Sequence, residues 1–119
     1  MTPTTSAQVA VADDDSDMLA VLTEMIESLG LCAVPATTGD ELRAVIARDD
    51  VSLIVTDNEM PGRKGLDVVT ELRAAGSTTP CVLVTGSAIR DATVDGIIVL
   101  RKPVRAHALC AAIAAALGR

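Results

Sequence analysis

The carboxylates in "VADDDSDML", Val11 to Leu19, are the first residues along the chain whose type and spacing could do chemistry. Asp13, Asp14 and Asp15 directly follow an apolar run, and Asp57, Thr85 and Lys102 stand at or just past the ends of three later ones. Crowded carboxylates repel one another and resist ionisation, so a cation among them makes the crowding useful. An all-oxygen set with neither His nor Cys suits Mg²⁺, or Mn²⁺, rather than Zn²⁺. Such a cation would neutralise an incoming phosphoryl group and let a carboxylate attack phosphorus to form an acyl phosphate. Thr85 could then donate a hydrogen bond to a phosphoryl oxygen, and Lys102 could pair with its charge.

Each of these residues also has an ordinary role. Asp15 and Ser16 are preferred helix N-caps, and "DNEMPG" after Thr56 is rich in turn formers. Thr85 could simply end a strand, and Lys102 could be a solvated loop charge. What those roles leave unexplained is the recurrence of polar residues at successive strand ends, where ligands gather in open parallel sheets.

The elements that must position them are legible from periodicity. Apolar runs of strand length lie at Val9–Ala12, Cys32–Ala36, Val51–Thr56, Cys81–Thr85 and Ile97–Leu100. Most are continuously apolar, the pattern of strands buried on both faces. Between them, Leu19, Leu22, Met25, Ile26 and Leu29 share one helical face, and Gly30 is placed to end that helix. Leu42, Val45 and Ile46 follow the acidic first turn of a second helix. Leu66, Val69 and Leu72 mark a third, and Leu109, Ile113 and Leu117 mark the last. Strands alternating with helices predict right-handed βαβ units and a parallel sheet covered on both sides. The interval from Gly86 to Gly96 is near the minimum of about 10–12 residues for such a crossover. Any helix there, over Ala88 to Val94, is limited to about two turns, roughly 10 Å.

Composition narrows the function classes. With 119 residues the chain is sized for one domain, and a hydrophobic half argues for a packed core over disorder. No Phe, Trp or Tyr is present, so the core is aliphatic and there is no platform on which bases could stack. A net charge of -6 repels phosphate backbones and anionic membranes, so direct nucleic-acid or membrane binding is not expected. The polar start "MTPTTSAQ" lacks a signal-peptide pattern, which sets a cytoplasmic location as the expectation. Cys32, Cys81 and Cys110 are odd in number, lack a CxxC pair and lie in apolar stretches, so they read as small hydrophobes. His107, the single histidine, reads as a surface helix residue.

Taken together, Asp13 and Asp14 after the first strand, "DNEMPGRKG" from Asp57 to Gly65, "LVTGSA" around Thr85 and "RKPV" around Lys102 resemble the receiver domain of two-component response regulators, the CheY-like family. The resemblance runs in order from Val9 to Leu117. It implies a flavodoxin-like α/β fold, a doubly wound five-stranded parallel sheet of order 2-1-3-4-5, here with a shortened fourth helix. It implies one domain over residues 1–119, with its core at about 8–117. Asp57 would accept a phosphoryl group from a phosphohistidine of a sensor histidine kinase or histidine phosphotransfer protein, with the transfer and later autodephosphorylation self-catalysed. The implied Mg²⁺ ligands are Asp13, Asp14, Asp57 and the backbone carbonyl of Glu59, with Asp14 the direct ligand of the first pair and Asp15 outside the site. Thr85 would be the switch hydroxyl and Lys102 the phosphoryl contact. Pro103 would follow a cis peptide bond, and Met60, Pro61 and Gly65 would shape the loop after Asp57. A phosphoryl group adds about -1.5 to -2 charges, enough to shift the balance between two loop arrangements and so the binding of a downstream protein target.

The chain departs from the family pattern in two places. Val99 stands where the family's switch aromatic usually lies, which removes coupled ring rotation. The shortened fourth crossover should alter the face built from the fourth helix, fifth strand and last helix. Glu59 and Ser87 occupy positions that tune phosphoryl lifetime in similar receivers. Two other functions fit parts of the pattern. One is a Mg²⁺-dependent phosphohydrolase with an aspartyl intermediate and Glu59 as its acid; the other is a receiver-like interaction module that is never phosphorylated. FMN binding is disfavoured, since a hydroxyl-rich phosphate loop and a ring-stacking aromatic are both missing.

Overall fold

Five short apolar segments pair side by side into one sheet in the computed structural model, which describes residues 7–48, 50–87 and 96–118. Strands β1 (Gln8–Ala12), β2 (Cys32–Ala36), β3 (Val51–Asp57), β4 (Cys81–Thr85) and β5 (Ile97–Arg101) lie in the order β2-β1-β3-β4-β5. All four pairings are parallel, as the alternation of strands and helices requires. Helices α1 (Ser16–Ser28), α2 (Gly39–Arg48), α3 (Gly65–Ala74) and α4 (Ala106–Ala116) complete the described residues. The short helix expected over Ala88 to Val94 lies outside them.

The core has two layers because the strand side chains alternate between the faces of the sheet. Val9, Val11, Leu53, Val55 and Val82 meet Leu19, Leu22 and Ile26 of α1 and Leu109 and Ile113 of α4. On the other face Ala10, Ile54, Cys81 and Leu83 meet Leu42 and Val45 of α2 and Val68, Val69 and Leu72 of α3. Each fully buried Leu, Ile or Val removed from water contributes about 1.5–3 kcal/mol. Close packing of aliphatic side chains thus holds the helices without any ring.

Two expectations are corrected by position in the sheet and a third by position at a helix end. β2 and β5 are edge strands, and neither has the uniform burial of β4. Cys32, on the β2 edge, is consequently exposed, whereas Cys81 in β4 is buried and its thiol is pushed up to about 12 by burial. Leu29 sits at the C-cap of α1, where the chain leaves the helix toward Gly30, and remains 38% exposed. Gly30 has φ 81°, a left-handed conformation that glycine adopts without steric cost and that closes the helix.

The third aspartate of the opening run has a structural job. Asp15 is the N-cap of α1, its carboxylate accepting from the Asp17 and Met18 N–H groups at 2.9 and 3.3 Å. Those donors have no partner inside the helix, and an anion there also complements the helix dipole. Replacing Asp15 with alanine should lower unfolding stability by about 1 kcal/mol. Urea denaturation checks that loss, while calorimetric Mg²⁺ titration should give an unchanged affinity.

Candidate functional site

Strand register decides which polar residues meet. Ala12 pairs with Thr56 across β1 and β3, so the next residues, Asp13 just past β1 and Asp57 at the end of β3, stand side by side. On the other flank Thr85 pairs with Arg101, which sets Lys102 one residue past the end of β5. The Lys102 N–H then donates to the Thr85 carbonyl at 2.9 Å, extending the ladder by one bond. The Lys102–Pro103 peptide bond is cis, matching the expectation.

Asp57 and Lys102 form the centre of the site. The Asp57 side chain is almost fully buried, and its Oδ2 lies 3.0 Å from Lys102 Nζ. Its Oδ1 accepts from the Glu59 N–H at 3.1 Å. Burial opposes the Lys102 charge, but the bond to Asp57 and the negative charges of Asp57, Asp13 and Glu59 outweigh it, so the ammonium is held above the usual lysine range. The amine therefore stays charged throughout the physiological pH range.

Asp13 is equally buried, and its Oδ1 accepts from the Asp15 N–H at 2.9 Å. Burial is the main force pushing its carboxyl above the ordinary aspartate value, and the Asp57 and Asp14 charges add to it. The Asp15 N–H and Lys102 pull the other way without cancelling the rise. Asp14, by contrast, is exposed. Carboxylate oxygens of Asp13, Asp14 and Asp57 all lie within 4.8 Å of one another. Three carboxylates against one ammonium leave a local excess of two negative charges, which one divalent cation balances. Oxygen donors, a solvent-facing side and that charge excess fit Mg²⁺, which binds a few carboxylates and keeps part of its water shell.

The loop between β3 and α3 is built tightly around Asp57. The Asn58 carbonyl accepts from the Met60 and Gly65 N–H groups, and its side-chain Oδ1 accepts from the Leu66 N–H at 2.9 Å, satisfying a donor in the first turn of α3. At Gly65 a Cβ would overlap the Asp57 carbonyl oxygen and lie 2.9 Å from the Thr56 side chain, so only glycine lets the helix start this close. Farther out, Arg63 bridges Glu71 of α3 and Asp40 of α2, tying the loop to both helices.

Thr85 is brought to the same rim but faces a partner that sequence reasoning missed. Its Oγ1 donates to Glu59 Oε2 at 2.7 Å, and the Gly86 N–H donates to Glu59 Oε1 at 2.6 Å. Burial raises the Glu59 carboxyl, yet the Gly86 and Thr85 donors, joined by Asn58 and Lys102, bring it below the usual glutamate range. Sequence suggested a role for the Glu59 carbonyl and a tuning position, but not this capture. The available signal was an acid two residues beyond β3, next to the hydroxyl that ends the neighbouring β4. The Ser87 N–H also donates to Thr85 Oγ1, at 3.1 Å. Val99, which stands in place of the expected switch aromatic, packs on the α2–α3 side of the core. His107 is exposed in the first turn of α4, away from these residues.

Between α1 and the segment after β5 lies a cavity of about 390 Å³, lined by Asp13, Lys102 and the apolar side chains of Met18, Leu22, Val84, Pro103 and Val104. No helix among the described residues is long and apolar enough to cross a membrane.

Residues 9–114 match the family model of the response regulator receiver domain. The chain belongs to the receiver domain family of two-component response regulators. It is 33% identical to the transcriptional regulatory protein FixJ of Azorhizobium caulinodans, over 96% of this chain and 56% of that protein. It is 38% identical to the transcriptional regulatory protein PrrA of Mycobacterium tuberculosis, over 76% of this chain and 39% of that protein. The chain thus spans about half the length, or less, of these curated relatives. Among solved structures, a response regulator receiver domain from Clostridium thermocellum superposes with a TM-score of 0.82 at 29% identity, covering 95% of each chain. The chemotaxis protein CheY4 of Vibrio cholerae shares the fold, with a TM-score of 0.85 at 21% identity over 94% of this chain and 99% of that one. Receiver domains of this family take part in two-component phosphotransfer and generally bind Mg²⁺ at an acidic pocket, which here corresponds to the cluster of Asp13, Asp14 and Asp57.

The crowding has a measurable cost in the metal-free receiver. Because the folded pKa of Asp13 lies above its unfolded value, the native state holds that proton more tightly, and stability falls as pH rises from the ordinary aspartate value through the folded one. Asp13→Asn should therefore raise the metal-free melting temperature at pH 7. The gain should shrink as pH is lowered toward 4, and added Mg²⁺ should stabilise the wild-type protein more than the variant. Calorimetric melting across pH, with and without Mg²⁺, reads all three effects.

Proposed function

We propose that residues 8–117 form one receiver domain in which Asp57 takes a phosphoryl group from a phosphohistidine. The supporting observation is the buried Asp57 carboxylate, 3.0 Å from Lys102 and within reach of Asp13 and Asp14. An Asp57 oxygen attacks phosphorus, the bond to the imidazole nitrogen breaks, and the imidazole leaves with the electron pair. Lys102 stays beside the acceptor and answers the charge of the new acyl phosphate. Asp13, Asp14, Asp57 and the Glu59 carbonyl would hold Mg²⁺, which when bound neutralises the phosphoryl oxygens during transfer. Thr85 supplies the hydroxyl whose change of partner reports the modification.

The donor on this reading is a sensor histidine kinase or a histidine phosphotransfer protein. An apolar cavity beside the acceptor supports a protein donor, because a protein surface can cover Met18, Leu22, Pro103 and Val104, whereas a hydrated phosphate ester has no use for them. The same apolar surroundings, together with the absence of any stacking residue, argue that output passes to a protein target and not directly to nucleic acid. A cytoplasmic setting follows from the nature of such donors. The phosphohydrolase reading is weakened by Glu59, whose carboxylate is committed to Thr85 and Gly86 and held ionised, the wrong state for protonating a leaving group.

Incubation with acetyl phosphate or phosphoramidate and Mg²⁺ should add one phosphoryl group to the intact mass. Asp57→Asn should abolish the gain, and chelation of Mg²⁺ should reduce it by at least tenfold, on the order of the effects seen when charge stabilisation is removed from a reacting centre. Labelling should be stoichiometric, without turnover of small phosphate esters. No mass gain, or a gain that survives Asp57→Asn, would overturn the assignment.

A further inference from the structure

The Glu59 carboxylate accepts two hydrogen bonds from adjacent residues, from the Thr85 side-chain hydroxyl at 2.7 Å and from the Gly86 N–H at 2.6 Å. Both donors sit at the end of β4, the strand next to the one that ends in Asp57. The Thr85 hydroxyl has a single proton, and its other acceptor, the Ser87 carbonyl, is farther away at 3.3 Å. The nearer, charged acceptor takes that proton. Glu59 is itself exposed while Thr85 is fully buried, so the carboxylate closes the rim from the solvent side and can swing away without unpacking the core. It is also anchored at its base, since the Glu59 N–H donates to Asp57 Oδ1.

We propose that Glu59 is an internal anionic stand-in for the phosphoryl group, a latch that holds Thr85 and Gly86 in the unphosphorylated arrangement until a phosphoryl group on Asp57 displaces it. This rests on the reading of Asp57 as the phosphoacceptor. One anion with two oxygens already satisfies both donors, and a phosphoryl group brings three acceptor oxygens and more charge to the adjoining strand end. Glu59 and the phosphoryl group would compete for the same hydroxyl and N–H, and their like charges would drive the side chain outward. Thr85 and Gly86 are then released from one acceptor and taken up by another. In a chain with Val99 in place of a ring, this exchange of partners couples the acceptor to Thr85 and Gly86 through hydrogen bonds. Any free energy spent in displacing Glu59 reduces apparent affinity for the phosphoryl group, as for any protein whose competent state is minor.

The test uses the full chain, with beryllofluoride and Mg²⁺ as the phosphoryl mimic, and two variants, Glu59→Ala and Glu59→Gln. In the metal-free protein, amide exchange at Gly86 followed by NMR should be at least about tenfold faster in Glu59→Ala, because its acceptor is gone. Glu59→Gln retains a side-chain carbonyl and should keep most of that protection. Beryllofluoride should bind Glu59→Ala on the order of fivefold to tenfold more tightly than wild type, with Glu59→Gln between them. Unchanged Gly86 exchange in Glu59→Ala overturns the latch, as does equal or weaker beryllofluoride binding. If Glu59→Gln tightens binding as much as Glu59→Ala while Gly86 stays protected, charge alone is responsible and the latch is again overturned. Failure of wild type and both variants to bind beryllofluoride would instead sink the phosphoacceptor reading, and the competition with it.

Discussion

The whole arrangement depends on the pairing of Asp57 with Lys102 where water is scarce. A carboxylate buried at the end of a central strand is unfavourable by itself. It is sustained by the Lys102 ammonium 3.0 Å away and by the Glu59 N–H at 3.1 Å. Lys102 reaches it from beyond β5, across the intervening β4, so the pair spans three strands of the sheet. One ammonium is not enough for the neighbouring Asp13 and Asp14, and the remaining negative charge is what makes the site receptive to a divalent cation.

Around that pair, backbone-held and solvent-facing parts are separated. The backbone-held part comprises Gly65 packed on the Asp57 carbonyl, Asn58 bonded to the first turn of α3, and Lys102 bonded through its N–H to Thr85. The solvent-facing part is side chain: the exposed Asp14, the partly exposed Lys102, and the exposed Glu59, which accepts from Thr85 and Gly86. Such a division suits a group that must add charge without disturbing the aliphatic core beneath it. Close-packed interiors resist small distortions, so a change at the rim is met by side chains trading partners.

Much of the fold was legible because its determinants are local. Continuous apolar runs, a cap at Asp15 and a glycine at position 30 each act within a few residues, and the strands and helices followed from them. Burial at the sheet edges was less legible. Cys32 has the apolar neighbours of a core residue yet is exposed, because strand order, and not composition, puts β2 at an edge. Leu29 keeps the helical spacing of its face but falls where the chain departs from α1.

By itself the sequence determined which residue types would stand at the strand ends, the carboxylates of Asp13, Asp14 and Asp57, the hydroxyl of Thr85 and the amine of Lys102. It also determined the aliphatic core and the parallel architecture, since both follow from residue type and period along the chain. Only the tertiary structure decided the pairings: Asp13 beside Asp57 through the register of β1 on β3, and Lys102 on Asp57 across β4. It alone turned Glu59 toward Thr85 and Gly86. A hydrogen bond between residues 26 or 27 positions apart depends on how two strands lie against each other, and side-chain direction at a loop is set by that packing and not by any local pattern.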